Sequence, residues 1–254
     1  MAFRFRTIGL VLAGFLGATA PVGAQQSESP AAERERYEDC ILTARRIPAE
    51  ALEEALAWAR ESGAMPARHC LALAFAGLGE YDKAGAGLET LAGEAGPLAT
   101  RIALWRQAGN VWLAADKPDR ALAAFEKASG LAPEDPDLMV EQARARAAAG
   151  DLWGAVDDLG RALERAPDAV EALVLRAAAY RRLDVPELSG DDLARALGLA
   201  PKRADAYLER GLLKQDRGDQ AGARADFAKV IELAPDSPAA KLARTHMGSR
   251  DSGG

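Results

Sequence analysis

Four stretches of this chain share one pattern. Ala121–Pro133 reads ALAAFEKASGLAP, Ala155–Pro167 reads AVDDLGRALERAP, Ser189–Pro201 reads SGDDLARALGLAP and Ala223–Pro235 reads ARADFAKVIELAP. The closing prolines Pro133, Pro167, Pro201 and Pro235 follow one another at 34 residues. Twelve residues before each proline stands a small residue: Ala121, Ala155, Ser189 or Ala223. Eight before stands a bulky apolar one: Phe125, Leu159, Leu193 or Phe227. A second small residue, Gly109, Ala143, Ala177 or Gly211, stands 24 before. A fixed period of this length marks a helix-turn-helix unit that buries its apolar face only by stacking on its neighbours.

Working outward, Ile102–Ala115 is expected to be a first helix, with Trp105, Gly109 and Trp112 on one face. Asp116 and Pro118 open a second helix, because proline costs nothing in a first turn, and Pro133 ends it. The same order restarts at Pro136, Val170 and Ala204, giving units 102–135, 136–169, 170–203 and 204–237. Gly150-Asp151 and Gly218-Asp219 are the expected turns inside their units, with glycine in the left-handed cap and aspartate capping the next helix. Asp184 with Pro186 fills the same place without glycine. The small residues at 109, 143, 177 and 211 are expected where the two helices of a unit cross, with the bulky residues packed behind them.

Upstream, 65–98 fits the frame with Leu71, Ala72, Gly79, Tyr81, Ala84 and Leu88, but Gly96 replaces the closing proline and three extra residues follow. Residues 34–64 read as a more divergent helix pair, marked by Tyr37 and Ile41 and then by Pro48, Ala51, Ala55 and Trp58. Residues 25–33 read as a disordered lead-in, 238–247 as a capping helix and 248–254 as a loose tail.

These phased positions resemble the tetratricopeptide repeat. The resemblance implies an all-α, right-handed α-solenoid that binds a peptide or protein partner in a concave groove lined by the first helix of each unit. By that analogy the groove residues are Arg106, Asn110, Val140, Arg144, Val174, Arg181, Leu208 and Leu212, with His69 and Leu73 upstream. Some family members clamp a peptide's C-terminal carboxylate. Arg106 and Asn110 match the first two positions of that clamp, but Glu141, Glu171 and Leu175 stand where asparagine and basic residues are needed, so the clamp is broken.

The first 24 residues read as a secretory leader. Arg4 and Arg6 precede an uncharged, mostly apolar run from Thr7 to Ala20, and Val22-Gly23-Ala24 offers small residues for cleavage after Ala24. The run is shorter than the roughly 20 residues of a spanning helix. Export of a chain rich in alanine and arginine implies a bacterial periplasm. Cleavage removes two arginines and no acids, moving the net charge from −6 to −8. That balance argues against nucleic acid, whose binding rests on neutralising phosphates, and against anionic lipid surfaces.

Little in the chain suggests chemistry. His69 adjoins Cys70, but neighbouring residues on a helix point about 100° apart, so a cysteine–histidine nucleophile is the weaker reading. Asp157-Asp158 and Asp191-Asp192 read as solvated faces, and Trp105, Trp112 and Trp153 as core. With two histidines and two cysteines the supply of metal ligands is thin, and no cofactor motif is found. The reading is a non-enzymatic interaction scaffold. The alternatives are a structural subunit that associates through its ends and an accessory factor for a periplasmic protease or cell-wall enzyme. Cys40 and Cys70, the only cysteines, fall on the first helices of adjacent pairs and are expected to form a disulfide in an oxidising compartment; two buried free thiols are the alternative.

Overall fold

The computed structural model describes residues 29–94 and 96–248. The leader, residues 25–28 and the tail beyond Gly248 lie outside the described residues. Within them are thirteen helices and no strand. They are α1 (Pro30–Arg46), α2 (Pro48–Ser62), α3 (Met65–Gly77), α4 (Tyr81–Gly93), α5 (Leu98–Ala114), α6 (Pro118–Leu131) and α7 (Pro136–Ala149). Then come α8 (Leu152–Arg165), α9 (Val170–Arg182), α10 (Pro186–Leu199), α11 (Ala204–Asp216), α12 (Gln220–Leu233) and α13 (Pro238–Gly248). Each helix packs antiparallel against the next, and the first helices of successive units also touch: α1 on α3, α5 on α7, α7 on α9, α9 on α11 and α11 on α13. The result is the expected α-solenoid.

Two boundaries differ from the sequence reading. Residues 30–33 are not lead-in but the first turn of α1, begun by Pro30 and capped by Ser29, whose Oγ accepts from the Ala32 N–H at 3.2 Å. The three extra residues before 102 are not a loop either; they extend α5 back to Leu98.

The turns inside the units follow one rule. Gly79, Asp116, Gly150, Asp184 and Gly218 all have positive φ, between 55° and 89°. Aspartate tolerates this region better than most residues with a Cβ. The following N–H then reaches back to the helix just ended: Lys117 to the Trp112 carbonyl, Asp151 to Arg146, Val185 to Tyr180 and Asp219 to Lys214, at 2.8–2.9 Å. Asp151 and Asp219 also cap the next helix, accepting from the Gly154 and Gly222 N–H groups at 3.0 and 2.8 Å. The first pair breaks the rule: Ile47 alone joins α1 to α2.

The core repeats with the period. A Cβ placed on Gly109 would lie 2.4 Å from the Phe125 ring, and one on Gly211 would lie 2.6 Å from Phe227. The backbones therefore approach as closely as they do only because these residues lack side chains. The two units between use Ala143 with Leu159 and Ala177 with Leu193, all at most 1% exposed.

Two readings of side chains are corrected. Asp158 and Asp192 are buried rather than solvated, as is Asp226 one unit on. Each has an arginine from the preceding helix: Arg146 to Asp158 at 2.8 Å, Arg176 to Asp192 at 2.8 Å twice, and Arg210 to Asp226 at 2.7 and 2.9 Å. A buried carboxylate without its partner is costly, which is why each is matched. Asp158 stays above the usual aspartate range because burial outweighs Arg146, whereas at Asp226 burial is overcome by Arg210 and Lys214 and the value falls below it. Trp153, read as core, is 57% exposed at the start of α8, where the equivalent residues are Asp119 and Glu187; Trp105 and Trp112 are buried.

The disulfide is present. Cys40 on α1 and Cys70 on α3 are joined with Cα atoms 6.1 Å apart, both fully buried and packed on Ala55.

A candidate interaction groove

A ladder of side chains crosses the face made by the first helices. The Tyr37 hydroxyl meets His69 Nδ1 at 2.5 Å, and His69 Nε2 meets Gln107 Oε1 at 2.6 Å. Because Oε1 can only accept, Nε2 carries the proton and Nδ1 accepts from the hydroxyl. Arg106 grips Glu141 with two bonds of 2.9 Å. Arg182 donates to the Ala147 carbonyl, Arg181 reaches Glu209 and Asp216, and His246 meets Gln215. Burial holds Glu209 above the usual glutamate range, with Arg181 pulling the other way.

The residues expected in the groove divide into three groups. Arg106 and Arg181 are on the face, but their charge is already matched. Val140, Val174, Leu208 and Leu212 are each at most 8% exposed and belong to the core, which corrects their reading as partner contacts. Val140 and Val174 belong to a cluster with Leu159, Leu163 and Leu193, and Leu208 and Leu212 to one with Phe227 and Val230. Arg144 and Asn110 are exposed. Arg144 borders a hollow of about 140 Å³ between α7 and α9, with Leu175 and Ala178.

A larger opening lies further up the chain. A cavity of about 800 Å³ opens among α1, α3 and α5 and reaches down to Leu88 of α4. Its apolar lining includes Ile41, Pro48, Leu73 and Val111, and its polar lining is Tyr37, His69, Gln107, Asn110 and Arg45. A second space of about 420 Å³, beside Met65 and Ala103, shares Tyr37, His69 and Gln107 as a common wall. The gap falls where the 34-residue frame is broken by three residues. Sequence reasoning marks His69 and Leu73 here but misses Arg45, Leu88 and Gln107. Arginine in a helix's last turn and leucine in its middle are ordinary, and Gln107 becomes visible only once its helix is placed beside α3.

The cysteine–histidine nucleophile is ruled out by structure, since the sulfur of Cys70 is bonded to Cys40. His69 is instead a neutral strut. Burial holds its pKa below the usual 6.5, with the bond to Gln107 opposing. A value lower in the folded state means that its stabilisation is present above pH 6.5 and lost as pH falls through the folded value. Hydrogen exchange in α1 and α3, corrected for intrinsic rates, is therefore expected to quicken between pH 7.5 and 5.5, and His69→Gln should flatten the trend. Equal slopes in the two proteins would count against the strut.

Among the described residues no helix is long and apolar enough to cross a membrane, and no group of three or more ligating side chains could hold a metal ion. Comparison with known proteins agrees with the architecture. A tetratricopeptide repeat model matches residues 205–237. No curated protein sequence matches the chain. Among solved structures it is similar to TTC0263, a thermophilic TPR protein of Thermus thermophilus, with a TM-score of 0.59 and 19% identity over 72% of this chain and 99% of that one. It is similar to a chain of the APC/C hetero-tetramer Cut9–Hcn1, with a TM-score of 0.58 and 17% identity over 83% of this chain but 45% of that one. It is also similar to MamA (41–end) from Desulfovibrio magneticus RS-1, with a TM-score of 0.56 and 20% identity over 68% of this chain and 96% of that one. Residues 205–237 thus match a tetratricopeptide repeat, and the described residues as a whole fold as an α-solenoid of helix-turn-helix units.

Proposed function

We propose that this chain is a non-enzymatic interaction scaffold of the bacterial periplasm that binds a segment of a partner protein along its concave face. The observation that carries the reading is the cavity of about 800 Å³ among α1, α3 and α5, lined by apolar side chains together with hydrogen-bonding ones. That combination is what a binding cleft requires. The buried Cys40–Cys70 bond supports an exported protein, because such bonds persist in oxidising compartments. The similar chain of the Cut9–Hcn1 structure works inside a hetero-tetramer, which favours a scaffold in the same direction.

The test is a pull-down from periplasmic extract with the chain beginning at Gln25. Three baits are compared: the unchanged protein, Leu73→Arg in the cavity and Arg144→Glu near the middle of the face. Arg144 is exposed and Leu73 is half-buried on the cavity wall, so circular dichroism of each bait checks that the fold is retained. A partner held by the first bait and lost by at least one of the others supports the scaffold reading. A partner held equally by all three overturns binding through this face.

A further inference from the structure

Resting on that reading, we infer that the cavity among α1, α3 and α5 takes an extended peptide segment in which a large apolar side chain lies next to an acidic one. Three features of the lining carry this. First, apolar surface: Ile41, Leu73 and Val111 line the cavity and are only half-buried, so an apolar side chain entering beside them covers surface now open to water. A space of about 800 Å³ takes a large one.

Second, charge. Arg45 is the only charged group among the lining residues, since His69 is held neutral. It is exposed and makes no ion pair or hydrogen bond with the described residues. Two other arginines of this face, Arg106 and Arg181, have carboxylates of the chain itself at 2.9 and 3.2 Å. A cation in the last turn of a helix is favourable by itself; what distinguishes Arg45 is the size of the cavity beside it, about 800 Å³ against about 140 Å³ beside Arg144. Standing at the exposed mouth, it meets a side-chain carboxylate of a segment lying across the rim.

Third, hydrogen bonding. Asn110 spends one N–H on the Arg106 carbonyl at 3.0 Å, which leaves a second N–H and its own oxygen. Gln107 spends its oxygen on His69, which leaves its NH₂ group. Two side-chain amides with spare donors and an acceptor on one wall suit the N–H and C=O groups of an extended backbone. A helical segment would have those groups satisfied already and would leave the amides idle.

The test uses a positional-scanning library of amidated heptapeptides, so that no terminal carboxylate is present, against the chain from Gln25. The expected result is enrichment of Leu, Met or Phe with Asp or Glu within two positions. Arg45→Glu should cut the acidic preference about tenfold, equivalent to about 1.4 kcal/mol, and turn it toward Lys or Arg. Leu73→Arg should remove the apolar preference, and Arg144→Glu should change neither. Enrichment unaffected by Arg45→Glu and Leu73→Arg, or lost only with Arg144→Glu, overturns the cavity assignment while leaving a scaffold that binds elsewhere on the face. No enrichment at all overturns the inference. The scaffold reading fails separately, through the pull-down.

Discussion

Phe125→Ala is expected to destabilise the protein by about 3–5 kcal/mol. The ring is fully buried and lies against Gly109 across the helix pair. Gly109→Ala is expected to cost about 1–3 kcal/mol through overpacking, less what alanine's better helix propensity returns, about 0.8–1.0 kcal/mol. The informative variant is the pair Gly109→Ala with Phe125→Leu. It copies the solution already used by Ala143 with Leu159 and by Ala177 with Leu193, so it should recover most of the loss shown by the two single changes. Urea unfolding of the unchanged protein, Gly109→Ala, Phe125→Leu and the pair gives the coupling directly. Strictly additive losses would show that the glycine and the ring are not matched parts of one contact.

Opening the Cys40–Cys70 bond is expected to cost about 3–4 kcal/mol in the chain-entropy view for a loop of 30 residues. The loss should be local. The bond ties the divergent first pair to α3 at the end of the stack, and in a linear array each unit is held mainly by its neighbours. Cys40→Ala with Cys70→Ala should therefore release α1 and α2 at lower temperature while α5 to α13 unfold as before. Hydrogen exchange resolved by segment separates the outcomes. Uniform loss of protection along the chain would mean that the first pair is not a separate end unit, and unchanged protection in α1 and α2 would mean that packing on Ala55 and Trp58 holds them without the bond.

The period is legible because packing imposes it. Where two helices must cross closely, the residue must be small, and Gly109, Ala143, Ala177 and Gly211 announce the crossing before any coordinate does. The disulfide is legible for a similar reason, since two cysteines on neighbouring first helices have few other places to go. What sequence does not convey is side-chain company. Asp158 and Asp192 look like any acids on an outer helix face until Arg146 and Arg176 are seen to reach them. Trp153 looks like its buried counterparts until it is placed at a position held elsewhere by Asp119 and Glu187. Val140, Val174, Leu208 and Leu212 fall in the groove by position, but they are buried in the core clusters. The cavity itself depends on how far α5 stands from α3, and no single residue encodes that distance.

The two kinds of polar contact in the stack differ in what they bind together. Arg146–Asp158, Arg176–Asp192 and Arg210–Asp226 each close within one unit, whereas Tyr37–His69–Gln107, Arg106–Glu141 and Arg181–Glu209 each reach from one unit to the next. Excising 170–203 as a block would leave Asp158 and Asp226 with their arginines, but it would strand Glu209, largely buried on the first-helix face, without Arg181. Duplication and loss of whole units can thus change the length of this chain while keeping each buried aspartate with its arginine, and every such event rewrites the surface on which a partner would be recognised.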